Sequence, residues 1–130
     1  MILDFTLLKS EYSIYRFKRD SPVPNWVYDS DLYSVTRTKD ELSIICRKID
    51  NIAGDDIKID KHWRILKING PLELYLVGVI ASISNLLKES KIPIFSISTF
   101  DTDYILVKKQ DLNKTIAVLS DAGHKILMEK

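Results

Sequence analysis

Ile94-Phe95-Ser96-Ile97-Ser98-Thr99-Phe100-Asp101-Thr102-Asp103-Tyr104-Ile105-Leu106-Val107 reads as two apolar strands joined by a polar turn. The flanks carry the β-branched and aromatic residues that fit a pleated, half-buried surface. The polar side chains gather around the join: Ser96, Ser98, Thr99, Asp101, Thr102 and Asp103 can bond a ligand or their own backbone. Either use suits the turn taken alone, so its neighbours have to decide.

Working outward, Trp63 to Ile68 alternates large apolar and polar residues as a half-buried strand does, and Asn69-Gly70-Pro71 ends it. Val79, Ile80, Ile83, Leu86 and Leu87 share one face of a helix running from about Val77 to Ser90. Pro93 closes that helix off from the strand beginning at Ile94. After Val107, Asp111 is placed as the N-cap of a second helix in which Leu112, Ile116 and Leu119 share a face. Gly123 is its C-terminal stop, and Lys125 to Met128 forms a last strand. Strand, helix, strand, strand, helix, strand is the split βαβ order. The fold class is therefore α+β, with a ferredoxin-like antiparallel sheet and both helices on one face.

The first half repeats this order with its helices reduced. Leu3 to Leu8 and Tyr12 to Phe17 read as a hairpin turning at Lys9-Ser10-Glu11. Pro22 and Pro24 permit only a single helical turn, with Trp26 as the core plug. Leu32 to Thr36 and Leu42 to Arg47 form a second strand pair, and Asp50 to Asp60 reads as a mobile surface connection. A shift by 62 lays Ser34–Ile45 over Ser96–Val107, strand on strand and turn on turn. The reading is two tandem ferredoxin-like units: 1–62 with reduced helices, and 63–130 complete.

With 45% hydrophobic and 28% charged residues the chain can bury a core. A net charge of +1 supplies no broad positive field for a phosphate backbone. The single cysteine, Cys46, sits in an apolar run and suggests a reducing, cytoplasmic setting. The start Met1-Ile2-Leu3-Asp4 lacks signal-peptide character, and no apolar run is long enough to span a bilayer. No metal ligand set, nucleophile motif or glycine-rich phosphate loop occurs, and His62 and His124 read as surface residues. Neither catalysis nor a cofactor is expected.

Three blocks carry a resemblance: Leu32 to Cys46; Trp63 to Leu72; and Gly78-Val79-Ile80-Ala81 taken with Ile97 to Val107. Together they resemble the tandem ACT-domain family of small bacterial proteins related to the animal cytosolic arginine sensor. The resemblance implies ferredoxin-like regulatory modules that bind an amino acid where two modules meet side by side. It implies ligand contacts from the approach to the first helix, Glu73 through Leu76, Gly78 and Val79, and from the turn residues Thr99, Phe100, Thr102 and Asp103. Pro93 and Ile94 match contacts made by a facing module. Leu76 stands where a ligand-holding glutamate occurs in the arginine sensor, so arginine is not implied. A two-module chain needs a second copy to build the four-module interface, which implies a homodimer.

Physical chemistry agrees with an amino-acid ligand. A helix start offers unpaired N–H groups to a carboxylate, Gly78 permits close approach, and Asp103 with Thr99 and Thr102 offers acceptors to an ammonium. The plainer reading gives Gly78 to helix packing and Asp103 to a turn bond with Ser98 or Thr102. Two other functions stay open. One is an interaction module that keeps the ACT fold without ligand. The other is an RRM-like RNA binder using Phe95, Phe100 and Tyr104, for which the basic-glycine-aromatic signature is missing. Lys9, Arg16, Lys18 and Arg19 form a basic cluster that reads as a solvated hairpin end.

Overall fold

A computed structural model describes residues 1–52, 54, 56–70 and 77–130. In chain order the elements are β1 (Asp4–Leu7), β2 (Tyr12–Phe17), a 3-10 turn (Asn25–Asp29), β3 (Ser34–Arg37), β4 (Leu42–Arg47), β5 (Lys58–Ile68), α1 (Val79–Glu89), β6 (Ile94–Ser98), β7 (Asp103–Lys108), α2 (Leu112–Asp121) and β8 (Lys125–Met128). They fall into two compact units, one made of Met1–Lys9 with Arg64–Lys130 and the other of Ser10–Trp63. β5 is the strand that passes from one to the other.

The larger unit carries the strand-helix-strand-strand-helix-strand order read from the sequence. Its sheet runs β8-β1-β5-β7-β6. Leu66 and Ile68 of β5, Ile105 and Val107 of β7, and Val79, Ile83, Leu87, Leu112 and Leu119 of the helices make one buried core, so both helices cover the same sheet face. α2 ends as a Schellman motif: the Gly123 N–H donates to Ser120 O at 3.0 Å and the His124 N–H to Leu119 O at 3.1 Å. Gly123, at φ +96°, takes the left-handed position that this motif requires. Asp111 occupies the N-cap position of α2 without a side-chain capping bond, and its carbonyl accepts from the Thr115 hydroxyl at 2.8 Å.

β1 departs from the expected hairpin with β2. It lies between β8 and β5, parallel to β8 through Asp4–Lys125 to Leu7–Met128 and antiparallel to β5 through Phe5–Ile68 to Leu7–Leu66. The reason is burial: Leu3, Phe5 and Leu7 all enter the helix-side core, with Phe5 fully buried. His124 helps hold the strand and is buried rather than on the surface. Its Nδ1 accepts the Leu3 N–H at 3.0 Å, and its ring meets Phe5 edge-on.

In the smaller unit β3, β4, β2 and the first part of β5 pair in that order. The pairing of β2 with β5 skips from Tyr12–Trp63 to Ile14–Asp60, a bulge on β5 at which His62 adopts φ +71°. The His62 ring is exposed and sits 3.0 Å from the Glu11 carboxylate. β5 starts at Lys58, so the end of the expected surface connection is strand. The core holds Tyr15, Phe17, Val27, Leu42, Ile44 and Cys46. Val27, fully buried, plugs it from the 3-10 turn, while Trp26 is half-buried with its ring 5.3 Å from Tyr15.

Candidate functional site

The β6–β7 hairpin is local chemistry. Its strands pair from Ile94–Val107 to Ser98–Asp103, which leaves Thr99 to Thr102 as the turn. The Thr99 N–H donates to Thr102 O at 2.8 Å, and the Thr102 N–H donates to the Thr99 hydroxyl oxygen at 3.2 Å. The Thr99 hydroxyl in turn donates to Thr102 O at 3.1 Å. Across the last strand pair the Ser98 hydroxyl donates to the Asp103 carboxylate at 2.6 Å. That bond to Ser98 is the plainer of the two uses read for Asp103.

What the turn alone does not reveal is its attachment. The Thr102 hydroxyl, buried, donates to Ile68 O at 2.6 Å and ties the turn to the end of β5. Just past the end of β5, the Asn69 N–H donates to Asp4 O at 2.8 Å and its side-chain oxygen accepts from the Thr6 hydroxyl at 2.8 Å. Phe100, at the tip, is 80% exposed.

Glu73 and Leu76 lie outside the described residues. Gly78 is the N-cap of α1 at φ +86°, with no side-chain cap on the helix and, among the described residues, no atom within 4 Å of where a Cβ would sit. The first-turn N–H groups of α1 thus start from a bare backbone. Val79 faces inward, 5% exposed in the same core as Ile68, so only its backbone can meet a ligand. Val77, just before, is 86% exposed. Pro93 is exposed, and Ile94 is half-buried against the core at the start of the edge strand β6.

Lys67, Gly70 and Asp101 were not among the contacts the resemblance implied, although Asp101 was read among the turn side chains able to bond a ligand. With Thr102 they line a cleft of about 220 Å³ at the end of β5. Alternation along β5 was the available signal, since it sets Lys67 opposite Leu66 and Ile68. Only the fold brings Asp101 to it. Among the described residues no group of His, Cys, Asp and Glu is placed to hold a metal ion, and no helix is long and apolar enough to cross a membrane.

The β3–β4 hairpin closes the same way. The Thr38 N–H donates to Glu41 O at 2.9 Å, and the Glu41 N–H donates to the Thr38 hydroxyl oxygen at 3.2 Å. Thr38 therefore corresponds to Thr99 and Glu41 to Thr102, one residue away from the alignment by 62. A one-residue slip exchanges the faces of a strand, so the structural match replaces the sequence one. Arg37 donates to the carbonyl oxygens of Arg19 and Ser21.

The larger unit has the βαββαβ order from β5 onward, and the ACT domain model matches residues 58–121. A second model, of an N-terminal domain, matches residues 10–55. The chain belongs to the family of protein Atu0741 from Agobacterium tumefaciens. It is 37% identical to that crystal structure, covering 100% of this chain and 96% of that one at a TM-score of 0.88. The fold is also that of aspartate kinase regulatory regions. The ligand-free regulatory subunit of aspartate kinase from Thermus thermophilus matches at TM-score 0.61 and 11% identity over 88% of this chain and 93% of that one. Clostridium acetobutylicum aspartate kinase matches at TM-score 0.65 and 13% identity over 88% of this chain and 33% of that chain.

Proposed function

We propose that this chain is a non-catalytic regulatory protein that binds a free amino acid at the β6–β7 turn and the start of α1, in a site closed by a second copy of the chain. The observation that carries this is the bond from Thr102 to Ile68 O, which fixes the turn as a rigid platform and leaves Phe100 exposed at its tip. The ACT family match over residues 58–121 supports a small-ligand role, and the likeness to aspartate kinase regulatory regions supports the fold.

In this reading the α1 N–H groups behind Gly78 take the carboxylate, and Asp103 with the Thr99 oxygen takes the ammonium. Phe100 covers the side chain. Glu73 and Leu76 complete the approach to α1, and Pro93 and Ile94 reach the ligand of the facing copy. The two units act as paired ACT modules of the arginine-sensor-related kind, in a cytoplasmic protein. An interaction module without ligand is the second reading, favoured by the exposure of Val77 and Phe100.

A melting screen against the twenty amino acids tests it, with each hit repeated in Asp103→Ala and Phe100→Ala. A hit at millimolar concentration that both substitutions weaken supports the site. Full response in both variants places the ligand elsewhere. No hit at all leaves the interaction module, whose self-association sedimentation measures.

A further inference from the structure

β8 is one edge of the larger unit's sheet, and β6 is the other. On its inner side β8 bonds β1: the Lys125 N–H donates to Leu3 O at 3.1 Å and the Glu129 N–H to Leu7 O at 3.0 Å. Main-chain groups alternate sides along a strand, so Lys125, Leu127 and Glu129 turn theirs to β1 while Ile126 and Met128 turn theirs outward. Among the described residues no strand pairs with that outer side. Leu127 is 44% exposed and Met128 65% exposed, and the stretch Lys125-Ile126-Leu127-Met128-Glu129 has no proline and no charge between its ends. An open, apolar edge without these guards is a template for another strand.

The residues of the edge select which strand. They read cation, three apolar residues, anion. A second copy laid antiparallel about Leu127 sets Ile126 against Met128 on both sides of the axis, which pairs both outward residues of each copy. A shift by two residues in either direction pairs only one of them. The same register sets Lys125 across from Glu129 twice and Leu127 across from itself. Ile126 packs on the core beneath the helices, so Lys125, Leu127 and Glu129 share the opposite sheet face. Among the described residues neither Lys125 nor Glu129 has an ion-pair partner. Opposite charges directly across a strand pair are favourable, and a parallel copy would set like charges there instead.

We propose that β8 is a self-pairing surface, at which a second copy of the chain adds its own β8 antiparallel about Leu127 and joins two sheets into one. This goes beyond the amino-acid reading and does not rest on it, because the facing copy in that reading meets Pro93 and Ile94 at the β6 edge.

Sedimentation of the full chain over a range of concentrations, repeated with Lys125→Glu, Glu129→Lys and the double exchange, tests the pairing. The unsubstituted chain should dimerise. Each single exchange sets like charges across the axis twice and should weaken the dimer at least about tenfold, whereas the double exchange should recover it. Met128→Pro removes an outward N–H that β1 does not use and should abolish the dimer while leaving the fold intact by circular dichroism. A dimer that all these variants retain is held by another surface, which overturns the proposal and leaves the amino-acid reading standing. A monomer at every concentration overturns it as well, and so does a double exchange no better than the single ones. Hydrogen exchange of the unsubstituted chain needs no variant. The Ile126 and Met128 amides should slow only where the dimer forms, while Lys125 and Glu129 stay slow throughout. Fast exchange at Ile126 and Met128 within the dimer puts its interface elsewhere and overturns the proposal.

Discussion

The Thr102 hydroxyl and the Ile68 carbonyl oxygen lie 2.6 Å apart in a buried hydrogen bond that joins a four-residue turn to a strand 34 positions earlier in the chain. The turn makes its own backbone bonds without this contact. With it, Phe100 and Asp101 are held at the end of β5.

Thr102→Val keeps the shape of the side chain and removes its donor. Ile68 O then loses its Thr102 partner in a buried setting, which costs about 1–3 kcal/mol. Urea unfolding should show a lower midpoint with an unchanged slope. A midpoint equal to that of the unsubstituted chain would mean that the bond contributes nothing.

Among the described residues nothing lies within 4 Å of where a Cβ on Gly78 would sit, so the penalty expected for a side chain there is conformational. At φ +86° the cost of Gly78→Ala is about 1–2 kcal/mol. Gly78→Asn should lose less, because Asn enters the left-handed region more readily. Thermal melts of the two variants give the ranking, and the reverse order rules out a conformational origin.

His124→Leu removes the acceptor of the Leu3 N–H. The orphaned donor costs about 1–3 kcal/mol and loosens the N-terminal end of β1. Hydrogen exchange should quicken first at Leu3 and Lys125, whose N–H donates to Leu3 O at 3.1 Å. Uniform quickening across all strands would instead indicate global destabilisation.

Burial pushes the Cys46 thiol up to about 11, against the opposing influences of the Tyr15 hydroxyl and Arg47. Burial raises the Tyr15 hydroxyl as well. Because the folded thiol keeps its proton beyond its ordinary value of 9.0, this contribution to stability is whole below about pH 9. It falls as pH rises through about 11. Iodoacetamide at pH 8 should therefore leave folded Cys46 unmodified and label it on unfolding. Rapid labelling of the folded chain would contradict its burial.

Local pattern carried most of the larger unit. The face shared by Val79, Ile83 and Leu87, the stop at Gly123 and the apolar strands on either side of Thr99 to Thr102 each depend on residues within a few positions of one another. The residues of the β6–β7 turn were legible for the same reason. Lys67 and Asp101 were not, because their meeting needs β5 beside β7. Nor was the burial of His124, which depends on a backbone donor at Leu3 at the far end of the chain.

The sequence by itself determined the α+β class, the strand-helix-strand-strand-helix-strand order from β5 onward and the turn at Thr99 to Thr102, because hydrophobic period and turn chemistry act over short spans. Only the tertiary structure decided that β1 enters between β8 and β5, that Thr38 corresponds to Thr99, and that Thr102 is bound to Ile68. Strand pairing partner and register are set by which apolar faces the core can bury, and that choice is made among segments distant in the chain.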